Sequence, residues 1–583
     1  VHLPIGFILR LYKSRLALYT GLDGIPIPPP LFPKRYPMNR FPLRLSLKFL
    51  LCLLIAGGAY FWAIGLMDST YAYRSPLDDT PPAAGADLGE PATRRVVWVL
   101  IDGLRTDTAA DSTIMPVLNR LRTEGASATM HSRTPSYSAP GYSTLLTGAW
   151  QEINSGPAFN LDYEDIPPLT QDTIFAAVQR AGMRTGISAY NWFEKLLAGS
   201  PPDESFYTAG DDRIADAEVM AAALPMLAGD ASLVLIHLDQ VDYAGHHEGG
   251  GDSAGWDAAA SRTDALLGEI AARLDPAQDT LLVLSDHGHV DRGGHGGGEM
   301  VVLTEPLILH GAGVKPGVYE DCRMVDVAPT IAALLGTSLP ASSQGAPLVE
   351  MLDLPAGTLA ALPAIRASQQ IALASAYANA MGNPPGLDEY RMLEDAGQVM
   401  DSLRSARLNA DRLWRIPLAV LVWAVLAFAW QRTRPAPAAR LLMGAAAAIL
   451  VFHLGHLLSG RVYSYSSVDS VTGLIVFGAV STGAGMLAAW LGLNIFQRRF
   501  SQPPGRAAEF ALDLALLTVL ILLLVPLAFS ALYGPLVTWF LPDLGMHYLA
   551  LISLLEILMT AAMGVLLAGV GALVARLARG RQG

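Results

Sequence analysis

Cysteine is almost missing from this chain. Cys52 and Cys322 are the only two, too few for a disulfide framework or a thiolate zinc site, and Cys52 lies inside an apolar run, so no bridge between them is expected. Charge is scarce as well, at 16% of residues against 52% hydrophobic. Soluble domains carry about 25% charged residues, so part of this chain belongs in lipid. Basic excess is lacking too: the net charge is −12, and no basic stripe interleaved with aromatics appears. That combination excludes a nucleic-acid partner, since phosphate backbones call for basic surfaces. At 583 residues the chain is also too long to fold around one core.

The apolar excess is concentrated in runs. Residues 49–67 hold no charge, follow Lys34, Arg35, Arg40, Arg44 and Lys48, and approach the roughly 20 residues a bilayer requires. They read as an uncleaved anchor rather than a signal peptide, whose core is about 7–15 residues. The first 37 residues look unstructured, and Met38 suits a start. Five further apolar segments lie near 413–430, 441–459, 470–496, 508–533 and 547–575. Three Arg lie in each of 431–440, 497–506 and the tail, whereas 460–469 and 534–546 carry one Arg or none. The positive-inside rule then puts both termini in the cytoplasm and the region between spans one and two outside. The expected organisation is a cytoplasmic segment 1–44, an anchor 45–67, a linker 68–93, a catalytic domain 94–345, a helical linker 346–412 and a five-span region 413–583.

Within 91–340, short apolar runs alternate with helix-like stretches such as 170–181 and 256–274, the rhythm of an α/β, doubly wound, mostly parallel sheet. Asp102 ends V-V-W-V-L-I, Asp239 ends L-V-L-I-H-L and Asp286 follows T-L-L-V-L-S. Such runs read as strands buried on both faces, and ligands of open α/β sheets bind beyond the carboxyl ends of the strands. Seven of the twelve histidines fall between His237 and His310. Asp242 and His246 are offered on one loop, Asp286 and His287 are adjacent before Gly288, and His295 sits in G-G-H-G-G-G. Imidazole and carboxylate suit zinc at about 2.0–2.2 Å, and paired ions about 3.5–4 Å apart clamp the oxygens of phosphoryl transfer. Asp102, Asp242, His246, Asp286, His287 and His295 form an inventory for two divalent ions. A hydroxyl nucleophile is expected from Thr134, Ser136, Ser138 or Ser143, activated by coordination.

These motifs together resemble the alkaline phosphatase superfamily, in particular its type I phosphodiesterase/nucleotide pyrophosphatase branch. V-L-I-D ending at Asp102, S-A-P at Ser138, D-Y-A-G-H from Asp242, L-S-D-H-G from Leu284, His295 and V-D-V-A-P-T from Val325 carry the likeness, which covers roughly residues 94–340. The resemblance implies Ser138 as nucleophile, one metal held by Asp102, Ser138, Asp286 and His287, another held by Asp242, His246 and His295, and Asn160 donating to a phosphoryl oxygen. It also implies zinc, with manganese as the other choice. Tyr142 departs from the pattern, since relatives often carry His there. No C-x-P-x-R stands at the nucleophile, which disfavours the sulfatase branch. Asp239 is expected to orient a ligand, His237 to be a satisfied core histidine, and His247 and His289 to lie outside the ligand set. His453 and His456 share one face of the third span and, like Glu556 in the last, are ambiguous between interface and function.

The reading is a plasma-membrane, multi-pass, two-metal phosphodiesterase or phosphohydrolase working outside the cytoplasm through a seryl phosphate. Its substrate is a phosphate ester, with a lipid or envelope component as a candidate. The runner-up is a phosphoethanolamine-type transferase, because the layout of one N-terminal span, an outer domain and C-terminal spans resembles the glycolipid-anchor ethanolamine-phosphate transferases. A transporter or sensor with a degenerate outer domain is the third reading.

Overall fold

A computed structural model describes residues 41–382, 389–433, 437–468, 470–496 and 503–580. The expectations for the first 37 residues and Met38, and the contributions of Arg434, Asp469, Arg498, Arg499 and Arg581 to the charge alternation, fall outside these residues. The chain divides at Arg44 into a short N-terminal unit and a unit from Leu45 onward.

The second unit contains a nine-stranded mixed sheet. Its strands are β1 (Arg95–Ile101), β2 (Ala126–His131), β3 (Thr185–Tyr190), β4 (Glu204–Thr208), β5 (Leu233–Leu238), β6 (Asp279–Leu284), β7 (Thr304–Gly311), β8 (Gly317–Val318) and β9 (Cys322–Arg323). The order is β4-β3-β5-β1-β6-β7-β2-β8, with β9 also on β2. The strands from β4 to β6 run parallel, and β7 is antiparallel to both β6 and β2. β1 is buried on both faces: Val96, Trp98 and Leu100 enter one core, while Val97, Val99 and Ile101 enter the other. That is why its sequence shows no polar alternation. Each such side chain contributes about 1.5–3 kcal/mol by leaving water, which fixes the register of the strands flanking the site.

Register carries the acids to one edge. Ile101 pairs with Leu238 and Leu100 with Leu284, so Asp102, Asp239 and Asp286 leave three neighbouring strands at the same end. The expected loop after β5 is instead a helix, Gln240–His247. Buried Asp216 accepts the Asp239 backbone N–H at 2.7 Å and the Gln240 amide at 2.8 Å, so a side chain from the preceding crossover helix, Arg213–Leu227, fixes the helix start. Asp242 and His246 thereby stand one turn apart on a common face.

Among the described residues, six helices are long and apolar enough to cross a membrane: Leu43–Tyr71, Ala396–Thr433, Ala438–Leu458, Val471–Ile495, Pro504–Tyr533 and Leu544–Ala578. Exposed Leu, Val and Phe along them, such as Leu54, Val420 and Leu458, present the apolar surface expected to meet lipid. Lys48 lies buried among them, 2.9 Å from Glu509 and 2.8 Å from Asp513, joining the first span to the fifth. Cys52 and Cys322 are free and buried.

Candidate metal centre

The segment expected to carry the nucleophile forms the helix Ser138–Thr147, with Ser138 at its first turn. Ser138 Oγ lies 3.2 Å from His287 Nε2. The other hydroxyls nominated from the sequence have different roles or none near the imidazole. Ser136 Oγ donates to the Gly297 carbonyl and accepts the Gly296 N–H, Ser143 donates back to the Ala139 carbonyl, and Thr134 is exposed.

Around His287 Nε2, Asp102 Oδ1 and Asp286 Oδ2 both stand at 3.4 Å. A tetrahedral ion with arms of about 2.1 Å separates its ligands by roughly 3.4 Å, so these atoms and Ser138 Oγ have the spacing of one coordination shell. Asp102 Oδ1 and Asp286 Oδ2 are buried without a hydrogen-bond partner, a costly state that a cation would relieve. A second set adjoins the first. His246 Nε2 is 3.0 Å from His295 Nε2 and 3.6 Å from Asp242 Oδ2, and His295 Nε2 is 3.7 Å from Asp242 Oδ1. Asp242 Oδ1 is 4.0 Å from His287 Nε2, and the His287 and His295 rings stack at 3.9 Å. These donors fit two divalent cations.

Tautomers sort the imidazoles. His287 Nδ1 faces the Gly288 carbonyl at 3.2 Å and His295 Nδ1 the Ser136 carbonyl at 3.0 Å. A carbonyl only accepts, so each Nδ1 carries the proton and each Nε2 presents a lone pair, the arrangement usual in metal-bound histidine. His289 is reversed. Its Nδ1 accepts the Gly294 N–H at 3.0 Å, so its Nε2–H donates to Asp242 Oδ1 at 2.6 Å. Gly245 permits this approach, because a Cβ there would meet the His289 ring at 2.5 Å. Gly296, at φ +103°, would similarly drive a Cβ into Tyr137.

The electrostatics match a cluster built around missing positive charge. Burial, reinforced by Asp102 and Asp242, pushes Asp286 well above the usual carboxylate range. Burial also opposes ionisation of Asp242, yet His246, His289 and His295 together hold it well below that range. His295 is driven well below the ordinary imidazole value by burial and then by His287, which keeps its lone pair available.

Residues outside the nominated set complete the surroundings. His237, read from sequence as core, is buried with Nε2 3.0 Å from both Asp102 Oδ2 and the Tyr142 hydroxyl. Tyr142 itself donates to Asp102 Oδ2. Asn160 Oδ1 accepts the Ala139 N–H at 3.0 Å, which turns its amide toward the first turn of the Ser138–Thr147 helix. His247 is exposed. Ser466, on the connection between the third and fourth spans, accepts the Gly297 N–H at 3.0 Å and donates to Glu299 at 2.7 Å. His453 and His456 hold that connection through the Tyr463 hydroxyl and the Val462 carbonyl. No sequence signal pointed to Ser466, whereas Tyr142 had stood out as a departure from the family pattern.

Residues 96–155 and 157–301 match the model of the type I phosphodiesterase/nucleotide pyrophosphatase family, so the resemblance carried by the motifs is borne out. The chain is 28% identical over 304 residues to GPI ethanolamine phosphate transferase 2, catalytic subunit, of Homo sapiens, covering 47% of this chain and 30% of that protein. It is 26% identical over 420 residues to GPI ethanolamine phosphate transferase 2 of Aspergillus fumigatus, covering 64% and 53%. The chain thus spans between 30% and 53% of the length of these two relatives. Among solved structures, human ectonucleotide pyrophosphatase/phosphodiesterase 5 aligns with a TM-score of 0.39 at 16% identity, covering 44% of this chain and 100% of that one.

Proposed function

We propose that this chain is a multi-pass membrane enzyme that moves a phosphoryl-linked group from a phosphodiester to an alcohol, a phosphoethanolamine-type transferase acting on a glycolipid. The observation that carries the reading is the set of Asp102, Ser138, Asp286 and His287 at tetrahedral spacing with two buried carboxylate oxygens otherwise unsatisfied, adjoined at His287 by Asp242, His246 and His295. Transfer is favoured over hydrolysis, the first reading from the motifs, because both relatives described above are named as ethanolamine phosphate transferases. The family model supports the phosphodiester chemistry common to both readings.

Asp102, Ser138, Asp286 and His287 would hold one ion, and Asp242, His246 and His295 the other. Three imidazoles among carboxylates suit zinc, with manganese the alternative. When bound, the ions lower the pKa of the Ser138 hydroxyl and offset charge on the phosphoryl oxygens. Ser138 Oγ attacks phosphorus in line, the bond to the leaving alcohol breaks, and that alcohol departs with a proton. An acceptor hydroxyl then attacks phosphorus from the face the leaving alcohol vacated, opposite Ser138; the P–Oγ bond breaks, and the acceptor's proton passes to Ser138 Oγ, restoring the hydroxyl. Asn160, oriented by the Ala139 N–H, donates from Nδ2 to a non-bridging oxygen. The positive end of the Ser138–Thr147 helix dipole favours the same charge. Charge alternation between the loops supports a site facing away from the cytoplasm.

The test is a paired assay on purified protein with zinc or manganese. Release of a chromogenic alcohol from a phosphodiester is followed with and without a glycolipid acceptor, beside the matching monoester and with Ser138→Ala as control. Acceptor-dependent transfer lost in Ser138→Ala supports the proposal; turnover to water alone returns the assignment to a phosphodiesterase. Turnover undiminished in Ser138→Ala overturns the nucleophile.

A further inference from the structure

A second concave site lies away from the metal centre. A cavity of about 580 Å³ opens between the sheet domain and the helices Ala356–Ala380 and Glu389–Thr433, lined by Arg133, Arg323, Arg366, Gln344, Gln370 and Trp150, with Glu152 and Asp401 also on its wall. That volume falls in the range of small-molecule sites. A separate small void of about 30 Å³ is lined by Arg133, Trp150 and Glu152 together with Gly141 and Asp286.

Its charges do not cancel. Glu152 and Asp401 both face Arg404, at 3.7 and 3.2 Å, and Arg323 is matched by Asp326 at 2.8 Å. Two guanidinium groups remain without a carboxylate among the described residues. Arg133 lies over the Trp150 ring at 4.5 Å, and Arg366 has a buried Nε without a partner. Because Glu152 and Asp401 share Arg404, the cavity keeps a net excess of one positive charge, carried by two guanidiniums that no carboxylate holds, an arrangement that suits a phosphate monoester. The amides add polarity of both kinds. Gln344 Oε1 is occupied by the Trp150 N–H, leaving its NH₂ to donate. Gln370 Nε2 is occupied by the Ser343 carbonyl and Gln369, leaving its carbonyl to accept. A donor and an acceptor beside two guanidiniums suit hydroxyls next to a phosphate.

We propose that this cavity binds a phosphate monoester borne on a hydroxylated, sugar-sized group, through Arg133 and Arg366, as a site separate from the metal centre. The proposal does not depend on whether the centre transfers or hydrolyses.

The experiment uses the full chain in phosphatidylcholine nanodiscs, stripped of metal by chelation so that the metal centre cannot retain anion. Binding of radiolabelled inorganic phosphate is measured by equilibrium dialysis, with glucose 6-phosphate as competitor and glucose as control. The expected result is a single chelation-resistant equivalent displaced by the phosphorylated sugar and not by glucose. Arg133→Gln and Arg366→Gln should each weaken it by about tenfold, the scale of one charge-assisted contact, while Ser138→Ala leaves it intact. Metal-loaded Arg133→Gln and Arg366→Gln proteins should retain turnover of the chromogenic diester, which shows that they fold. Adding phosphatidic acid to the discs distinguishes the sources: displacement identifies a lipid phosphate, and continued binding identifies a soluble one. No chelation-resistant binding at millimolar phosphate, or binding unchanged in both arginine variants, overturns the proposal.

Discussion

Removing one oxygen atom from Tyr142 should weaken one metal and spare the other. Asp102 offers Oδ1 to the cluster around His287 while its Oδ2 takes the Tyr142 hydroxyl and faces His237 Nε2 at 3.0 Å. Burial, and then Asp102 itself, raises Tyr142 well above the ordinary phenol range, so the hydroxyl stays protonated and acts as a donor. Tyr142→Phe keeps the ring stack on Phe193, whose centroids are 4.4 Å apart, and deletes only the hydrogen bond. A bond to a charged acceptor contributes about 1.5–3 kcal/mol, and loss of a group that orients a ligand lowers metal affinity by about 10–100-fold. Competition with a chromophoric zinc chelator should resolve two affinities in the wild type. In Tyr142→Phe the one that depends on Asp102 falls by that factor and the other holds. His237→Gln should act on the same affinity, and the double variant should show less than the sum of the two effects because both act on one oxygen. Two unchanged affinities, or two lowered equally, would refute the idea that Tyr142 and His237 position Asp102.

Three further outcomes follow from contacts elsewhere in the chain. Burial raises Asp216 to about 6; with a folded-state value above the unfolded one, its contribution is fully present below about pH 4 and is lost as pH rises to about 6. Asp216→Asn should therefore flatten that part of the profile of thermal midpoint against pH, worth about 3 kcal/mol, and an unaltered slope counts against it. Ser466→Ala frees the Gly297 N–H and Glu299 from the outer connection, so amide exchange across residues 294–299 should quicken by about tenfold, as loss of about 1.4 kcal/mol of protection predicts. Lys48→Met leaves Glu509 and Asp513 buried without their cation, a change that costs about 3–5 kcal/mol, and should lower the detergent-solubilised melting point unless Glu509→Gln and Asp513→Asn are introduced with it.

The sheet and its acids were legible because the signal is local. β1 places alternate residues into two cores, so an unbroken apolar run ending in Asp102 already specifies a buried strand and an acid beyond it. The six apolar helices were legible for a similar reason, since lipid imposes composition on consecutive residues. The sorting of histidines was not. His287 and His289 are two residues apart with equal intrinsic chemistry; what separates them is whether Nδ1 meets the Gly288 carbonyl or the Gly294 N–H, a property of backbone direction. The Ser466 contact joins residues 167 apart and the Lys48–Glu509 contact residues 461 apart. Neither has a periodicity or spacing to find, and the pairing of charges inside the spans becomes visible only once the helices are packed.

The distinction between transfer and hydrolysis turns on what borders Ser138. A seryl phosphodiester survives to meet an alcohol only where water is scarce. The aromatic rings give that requirement a physical basis on the proposed reading. Phe159, adjacent to Asn160, packs against Tyr137 at 5.3 Å, Tyr465 at 5.1 Å and Tyr71 at 5.6 Å. These rings come from the nucleophile segment, the connection between the third and fourth spans, and the end of the first span. Tyr137 in turn lies 5.3 Å from the His295 ring. The rings beside Ser138 are therefore shared among the sheet domain, the end of the first apolar helix and the connection between the third and fourth, and the proposed transfer would draw its acceptor from that side.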